Sequence, residues 1–219
     1  MGNQNLAVSI GREFGSGGKE ISIKLAKRLG IMCYDNELLS ATAKSSGLDQ
    51  SVIRDNDENP RRRFMYSMIS NSYSPNVING AATNELPLNH KVFLAQFDTI
   101  REIASQESCV IVGRCADYAL ADFDNCCSIF VYAPIAFRRN RVREDVTVKD
   151  DNKILDYIHK TDRKRASYYN YYSGKEWGKS SSYHLCIDSS RLGIDGTVDL
   201  IISYLKYRYP DITERLLQS

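Results

Sequence analysis

The sequence predicts an α/β protein of three layers, a five-stranded parallel sheet with helices on both faces. Two observations carry this. Five short apolar runs alternate with helical patterns, and strands separated by crossover helices pair in parallel and are buried on both faces. The first run also leads into a glycine-rich turn and then an amphipathic helix, so a ligand-binding edge is expected at the carboxyl ends of the strands. The 219 residues suit a single domain, 1–219, long enough to bury one substantial core.

The elements follow in order. Residues 6–10 form the first strand. Helix 20–29 comes next: Ile21, Leu25 and Leu29 recur every fourth residue, Lys24, Lys27 and Arg28 keep to the polar side, and Gly30 stops it. Residues 31–34 form the second strand, before a helix over 36–46. The stretch 54–90 breaks the alternation with Arg61-Arg62-Arg63 and a run of Asn, Ser, Pro and Gly. It reads as a loop-rich insertion, and Phe64, Met65, Tyr66 and Met68 give it apolar surface to dock as a cover on the substrate side. Helices over 91–106, 134–147, 151–172 and 195–208 then separate strands at 109–112, 128–132 and 184–187, and Asp188 ends the last strand or caps the turn after it.

Gly11, Gly15, Gly17 and Gly18 lie beside Arg12 and Lys19, a pattern that predicts a phosphate cradle. Glycines let backbone amides turn toward an anion, and the following helix adds its unpaired amides and the positive end of its dipole. The usual pattern is G-x-x-x-x-G-K-[ST]. In one register Lys19 is the phosphate lysine, but Glu13 stands in the first glycine's place and Glu20 replaces the magnesium-binding hydroxyl. In the other, Gly15 and Gly17 match the inner glycines, Lys19 falls one residue late, and Arg12 supplies the charge. Both registers place the donor phosphates on Gly15, Ser16, Gly17, Gly18 and Lys19, with Glu20 beside them.

Composition narrows the function classes. A formal net charge of +2 gives no ground for expecting nucleic acid as a partner. Cysteines at 33, 109, 115, 126, 127 and 186 show no C-x-x-C and no Cys/His cluster, so reduced structural thiols are expected and no metal centre. No run approaches membrane-spanning length, and residues 1–6 lack a basic segment before an apolar stretch, so a cytoplasmic location is expected. Tyr168, Tyr169, Tyr171 and Tyr172 suit the packing of an amphipathic helix, and His90, His159 and His184 are isolated and suit surface or packing roles.

Several segments in this order carry a family resemblance: Arg12-Glu13-Phe14-Gly15-Ser16-Gly17-Gly18, the strand end Gly113-Arg114, and Phe130-Val131-Tyr132-Ala133-Pro134 followed by Arg138 and Arg141. With the close at 184–190, they make nearly the whole chain resemble the cytidylate kinase-like family of phosphate-loop nucleotide kinases. The resemblance implies a P-loop nucleoside monophosphate kinase fold with a substrate-binding insertion at 54–90 and an arginine-bearing helical lid at 138–175. ATP is then the donor, Mg²⁺ is held mainly through nucleotide oxygens and water, and CMP or dCMP is the acceptor.

Under that resemblance the roles divide as follows. Lys19, with Arg12 nearby, balances the donor charge. Arg114, directly after a strand, orients the acceptor phosphate through its planar fork. Asp35 takes the place where cytidylate kinases carry substrate-pocket residues, although an Asp before Asn36-Glu37 is equally a helix cap. Asp162, opening Asp162-Arg163-Lys164-Arg165, belongs to the substrate side, and Arg138, Arg141, Arg163 and Arg165 close over the transferring group. Taken without that context, the arginine run is a solvated helix face. A nucleotide-binding sensor with little kinase activity and a kinase of another small acceptor both remain open, as does assembly into a homo-oligomer.

Overall fold

The computed structural model describes residues 5–35, 88–145 and 150–218. The expected helix at 36–46 and the insertion up to residue 87 lie outside the described residues. In chain order the elements are β1 (Ala7–Arg12), α1 (Gly18–Arg28), β2 (Met32–Tyr34), α2 (Leu88–Gln106), β3 (Cys109–Val112), α3 (Ala116–Ala119), β4 (Cys126–Tyr132), α4 (Ile135–Asp145), α5 (Asp151–Ser173), β5 (Leu185–Asp188), α6 (Ser189–Arg208) and α7 (Pro210–Gln218). The five strands pair in parallel in the order β2-β3-β1-β4-β5. β1 is therefore central, and the chain leaves it for β2 on one side of the sheet and later fills the other side with β4 and β5. The crevice at such a reversal is where α/β sheets bind ligands.

Strand alternation divides the core. Val8 and Ile10 of β1, with Ile129 and Val131 of β4, pack against Ile21 and Leu25 of α1 and against Val198, Ile201 and Leu205 of α6. The opposite face takes two clusters: Ile100, Ile111 and Leu120 under α2, and an aromatic group of Phe93, Phe130, Tyr168, Tyr169 and Tyr183. Cys109, Cys126 and Cys127 lie in these buried strands, and burial pushes each thiol up to about 12. All six cysteines are free.

β3 has the expected bounds, whereas other elements differ for local reasons. β1 runs on through Gly11 and Arg12 because they pair with Phe130 and Val131 of β4. α1 begins at Gly18, two residues early, because Gly17 already serves as its N-cap. α6 reaches back to Ser189, where the Asp188 carboxylate accepts from the Ser190 amide at 2.9 Å, but Gly193 interrupts it with a φ of 65°. α7 was not signalled at all; it opens on Pro210, whose missing N–H costs nothing in a first turn, and Ile212, Leu216 and Leu217 pack on the core. α4 and α5 join through Val142, Ile154 and Ile158, and α5 is capped by Asp150 and Gly174.

His184 has a packing role. Its Nδ1 accepts from the Ser128 amide at 3.1 Å, which requires a ring nitrogen without a proton. Burial, with Arg208 and Lys175 nearby, lowers its proton affinity below the ordinary imidazole value of 6.5. The unfolded chain then binds the proton more readily, so this group's contribution is present above the unfolded value and is lost as pH falls through the lowered folded one. Stability from urea unfolding between pH 7.5 and 5 should therefore fall more steeply for wild-type protein than for His184→Gln.

Candidate active site

The turn between β1 and α1 is organised by its peptide groups. Gly15 and Gly17 adopt φ of 80° and 81°, which turns successive amides to one side and carbonyls to the other. The carbonyls find donors: Arg12 O takes Arg165 Nη1 at 3.2 Å, Glu13 O takes the Ser16 amide at 3.3 Å and its hydroxyl at 2.9 Å, and Phe14 O takes Arg138 Nη1 at 3.2 Å. Ser16 O accepts from the Ser189 hydroxyl at 2.6 Å, tying the turn to the head of α6. Among the described residues, the amides of Gly15, Gly17, Gly18, Lys19 and Glu20 donate to no protein acceptor. A concave run of amides at a helix head is an anion site.

Lys19 falls in the first turn of α1, just after Gly18, which is the register in which it follows the loop's last glycine. Its Nζ lies 3.1 Å from Asp35 Oδ2, so the residue after β2 meets the loop lysine. Arg12 points the other way, toward β3: a Cβ on Gly113 would lie 2.1 Å from Arg12 Nη1. Glu13 tucks under the loop, where its Oε2 accepts from the Ala133 amide at 3.0 Å and lies 3.3 Å from Arg138 Nε. Burial pushes this carboxyl above its usual range, and the Ala133 amide and Arg138 oppose that rise.

The four arginines assigned to the expected lid stand in four environments. Arg138 is only 6 % exposed and is committed to the loop, since its Nη1 also donates to Asp162 Oδ2 at 2.5 Å. Asp162 in turn accepts from the Phe14 amide at 2.8 Å, and the Phe14 ring meets Tyr157 edge-on at 5.2 Å within the α4–α5 core. Arg141 reaches Glu20 at 3.0 Å. Arg165 lies over Phe14 at 5.6 Å, while Arg163 is exposed and makes none of these contacts.

Arg12, Arg114 and Arg165 come together around a cavity of about 30 Å³, lined also by Ser9, Gly11 and Tyr168. Arg114 and Cys115 hold successive left-handed conformations, φ 59° and 54°, of the kind that costs of order 1–3 kcal/mol and concentrates at ligand sites. Burial lowers Arg114's proton affinity and the nearby Arg12 lowers it further, a like-charge conflict that a bound anion relieves. The sequence pointed to Arg114 as the acceptor-side guanidinium; it did not bring Arg12 and Arg165 to it. Tyr169 and Asp117, joined at 2.7 Å behind this cavity, were missed, and only the helical spacing of the tyrosines hinted at them.

An amide cradle between the central strand of a parallel sheet and its first helix, with a lysine in the opening turn, is the arrangement of a phosphate-loop fold. A family model for the cytidylate kinase-like family matches residues 7–191, and the chain belongs to that family. No curated protein matches. Among solved structures, an uncharacterized protein from Eubacterium ventriosum is 29 % identical with a TM-score of 0.68, covering 92 % of this chain and 99 % of its own. Shikimate kinase from Bacteroides thetaiotaomicron shares the fold at 14 % identity and a TM-score of 0.50, covering 92 % and 98 % respectively.

Gly17 tests the cradle. An added Cβ would sit 2.5 Å from Ile194 Cδ1 and would hold a positive φ. Gly17→Ala is expected to lose about 1–3 kcal/mol in urea unfolding and to weaken ADP binding by isothermal titration.

Proposed function

We propose that the chain is an ATP-dependent kinase of nucleoside monophosphates, with CMP or dCMP as the preferred acceptor. The observation that carries this is the run of five amides, at Gly15 and Gly17 to Glu20, that find no acceptor among the described residues, next to the three-arginine cavity at the end of β3. One anion site suits the donor's phosphates and the other suits the acceptor's.

In this reading the loop amides, with Ser16 at the turn, hold the donor phosphates, and Lys19 exchanges Asp35 for them. Asp35 would then be free to hold a water of Mg²⁺, an ion that would bind mainly through nucleotide oxygens and offset the phosphate charge. Arg114, Arg12 and Arg165 hold the acceptor phosphate. An oxygen of that phosphate forms a bond to the γ-phosphorus as the bond to the β–γ bridging oxygen breaks, giving ADP and a nucleoside diphosphate. An ionised phosphate needs no general base, so the protein's work is alignment and charge neutralisation. Arg141, released from Glu20, is a cation beside the loop for the transferring group, since a Cβ on Gly17 would lie 3.7 Å from its Cζ, and exposed Arg163 closes behind it. Arg138 acts through the loop. The reaction belongs in the cytoplasm, where its nucleotides are; among the described residues no helix is long and apolar enough to cross a membrane.

The Lys19–Asp35 pair favours one further reading, a kinase of a small hydroxyl compound that also carries an anionic group, because Asp35 would supply the base a hydroxyl needs.

A thermal-shift panel of nucleotides followed by product analysis with magnesium separates these readings. CMP or dCMP should give its diphosphate, Lys19→Ala should weaken ATP binding, and Arg114→Ala should lower kcat/KM for the acceptor by about tenfold to a hundredfold with donor binding nearly intact. Binding of ATP with no diphosphate from CMP, dCMP, UMP, AMP or GMP would end the monophosphate kinase reading. It would leave the hydroxyl acceptor or a nucleotide sensor in its place.

A further inference from the structure

We propose that Asp162 is a positioning residue for the donor loop, acting on it from α5 rather than touching either substrate; this rests on the loop's being the donor site. The loop lacks the first glycine of the usual pattern, and Glu13 occupies that place. A half-buried carboxylate there needs a cation, and Arg138 supplies it at 3.3 Å. Arg138 is itself buried and also reaches the Phe14 carbonyl at 3.2 Å, so without Asp162 it would have Glu13 alone to compensate it. Asp162 completes the set. One of its oxygens binds Arg138 Nη1 at 2.5 Å and the other accepts from the Phe14 amide at 2.8 Å.

The result is that one carboxylate fixes both peptide groups of Phe14. It holds the amide directly and the carbonyl through Arg138, and Phe14 lies just before the glycine that turns the phosphate-facing amides inward. The Gly15 amide shares its peptide group with the Phe14 carbonyl, and the positive φ of Gly15 and Gly17 carries the chain from there into the amides that head α1. Preorganised donors cost no reorganisation when the anion arrives, whereas a loop free to turn Phe14 outward would meet it with its amides dispersed. An Asn at 162 keeps an oxygen for the Phe14 amide but presents no charge to Arg138, and its NH₂ would face a second donor.

The test uses the full chain, with ADP and inorganic tripolyphosphate as probes in isothermal titration. Asp162→Asn is expected to raise the Kd of both probes by about tenfold or more, and to raise KM for ATP with the acceptor's KM unchanged. A residue that contacted the acceptor would move the acceptor's KM instead, and that result overturns the proposal. So does an unchanged Kd in the folded variant. Should Asp162→Asn not fold, Asp162→Glu keeps the charge on a longer arm and should raise the Kd of tripolyphosphate severalfold; an unchanged value there also overturns the proposal. Failure of wild-type protein to bind either probe would refute the donor-loop reading itself, and the proposal with it.

Discussion

The structure around the phosphate loop depends on one constraint: every peptide group in a tight turn needs a partner. In the turn after Arg12 the carbonyls of Arg12, Phe14 and Ser16 are met by side chains brought from α5, α4 and α6, and that of Glu13 by Ser16 within the turn. The amides on the other side are left for an anion. The geometry of the loop is thus set by several elements, since β1 sets where the turn begins, α6 fastens its far end through Ser189, and α4 and α5 hold its middle.

That arrangement alters what a lid means in this protein. Arg138 and Asp162 lie on helices whose shared apolar core, Val142, Ile154 and Ile158, has Phe14 of the loop packed against it. The base of the α4–α5 pair and the loop behave as one packed unit. Arg141 and Arg163 are not built into this contact: Arg141 pairs with Glu20 and Arg163 is exposed. Burial explains the division: a guanidinium as enclosed as Arg138 must keep its carboxylates, because breaking such a pair leaves an uncompensated charge in a poorly solvated place.

Much of this was legible in the sequence. Apolar runs gave the five strands, and the glycines after the first gave the ligand edge, because both signals are local. Gly11 and Arg12 were read as loop because neither carries an apolar signal, yet pairing with Phe130 and Val131 keeps them in β1. The direction of Arg12 was not readable either, since it depends on the room left by a glycine about a hundred residues away. Asp162 was assigned to the substrate side by resemblance; its bond to the Phe14 amide spans 148 positions and leaves no trace in local pattern. Periodicity and motif spacing find elements and loops, whereas the partner of a polar group is settled only once the helices are docked.

Arg12 runs between two places that tolerate no side chain: a Cβ on Gly18 would approach its Cβ to 2.5 Å, and one on Gly113 would approach its Nη1 to 2.1 Å. The two contacts differ in kind. Gly113 meets the far end of the arginine, so a shorter or rerouted side chain at 12 would clear it and leave only the demand of a positive φ, whereas Gly18 meets Cβ, which every residue but glycine keeps. Position 18 is therefore answerable to the backbone course of β1 whatever side chain stands at 12, and position 113 is answerable to the arginine itself.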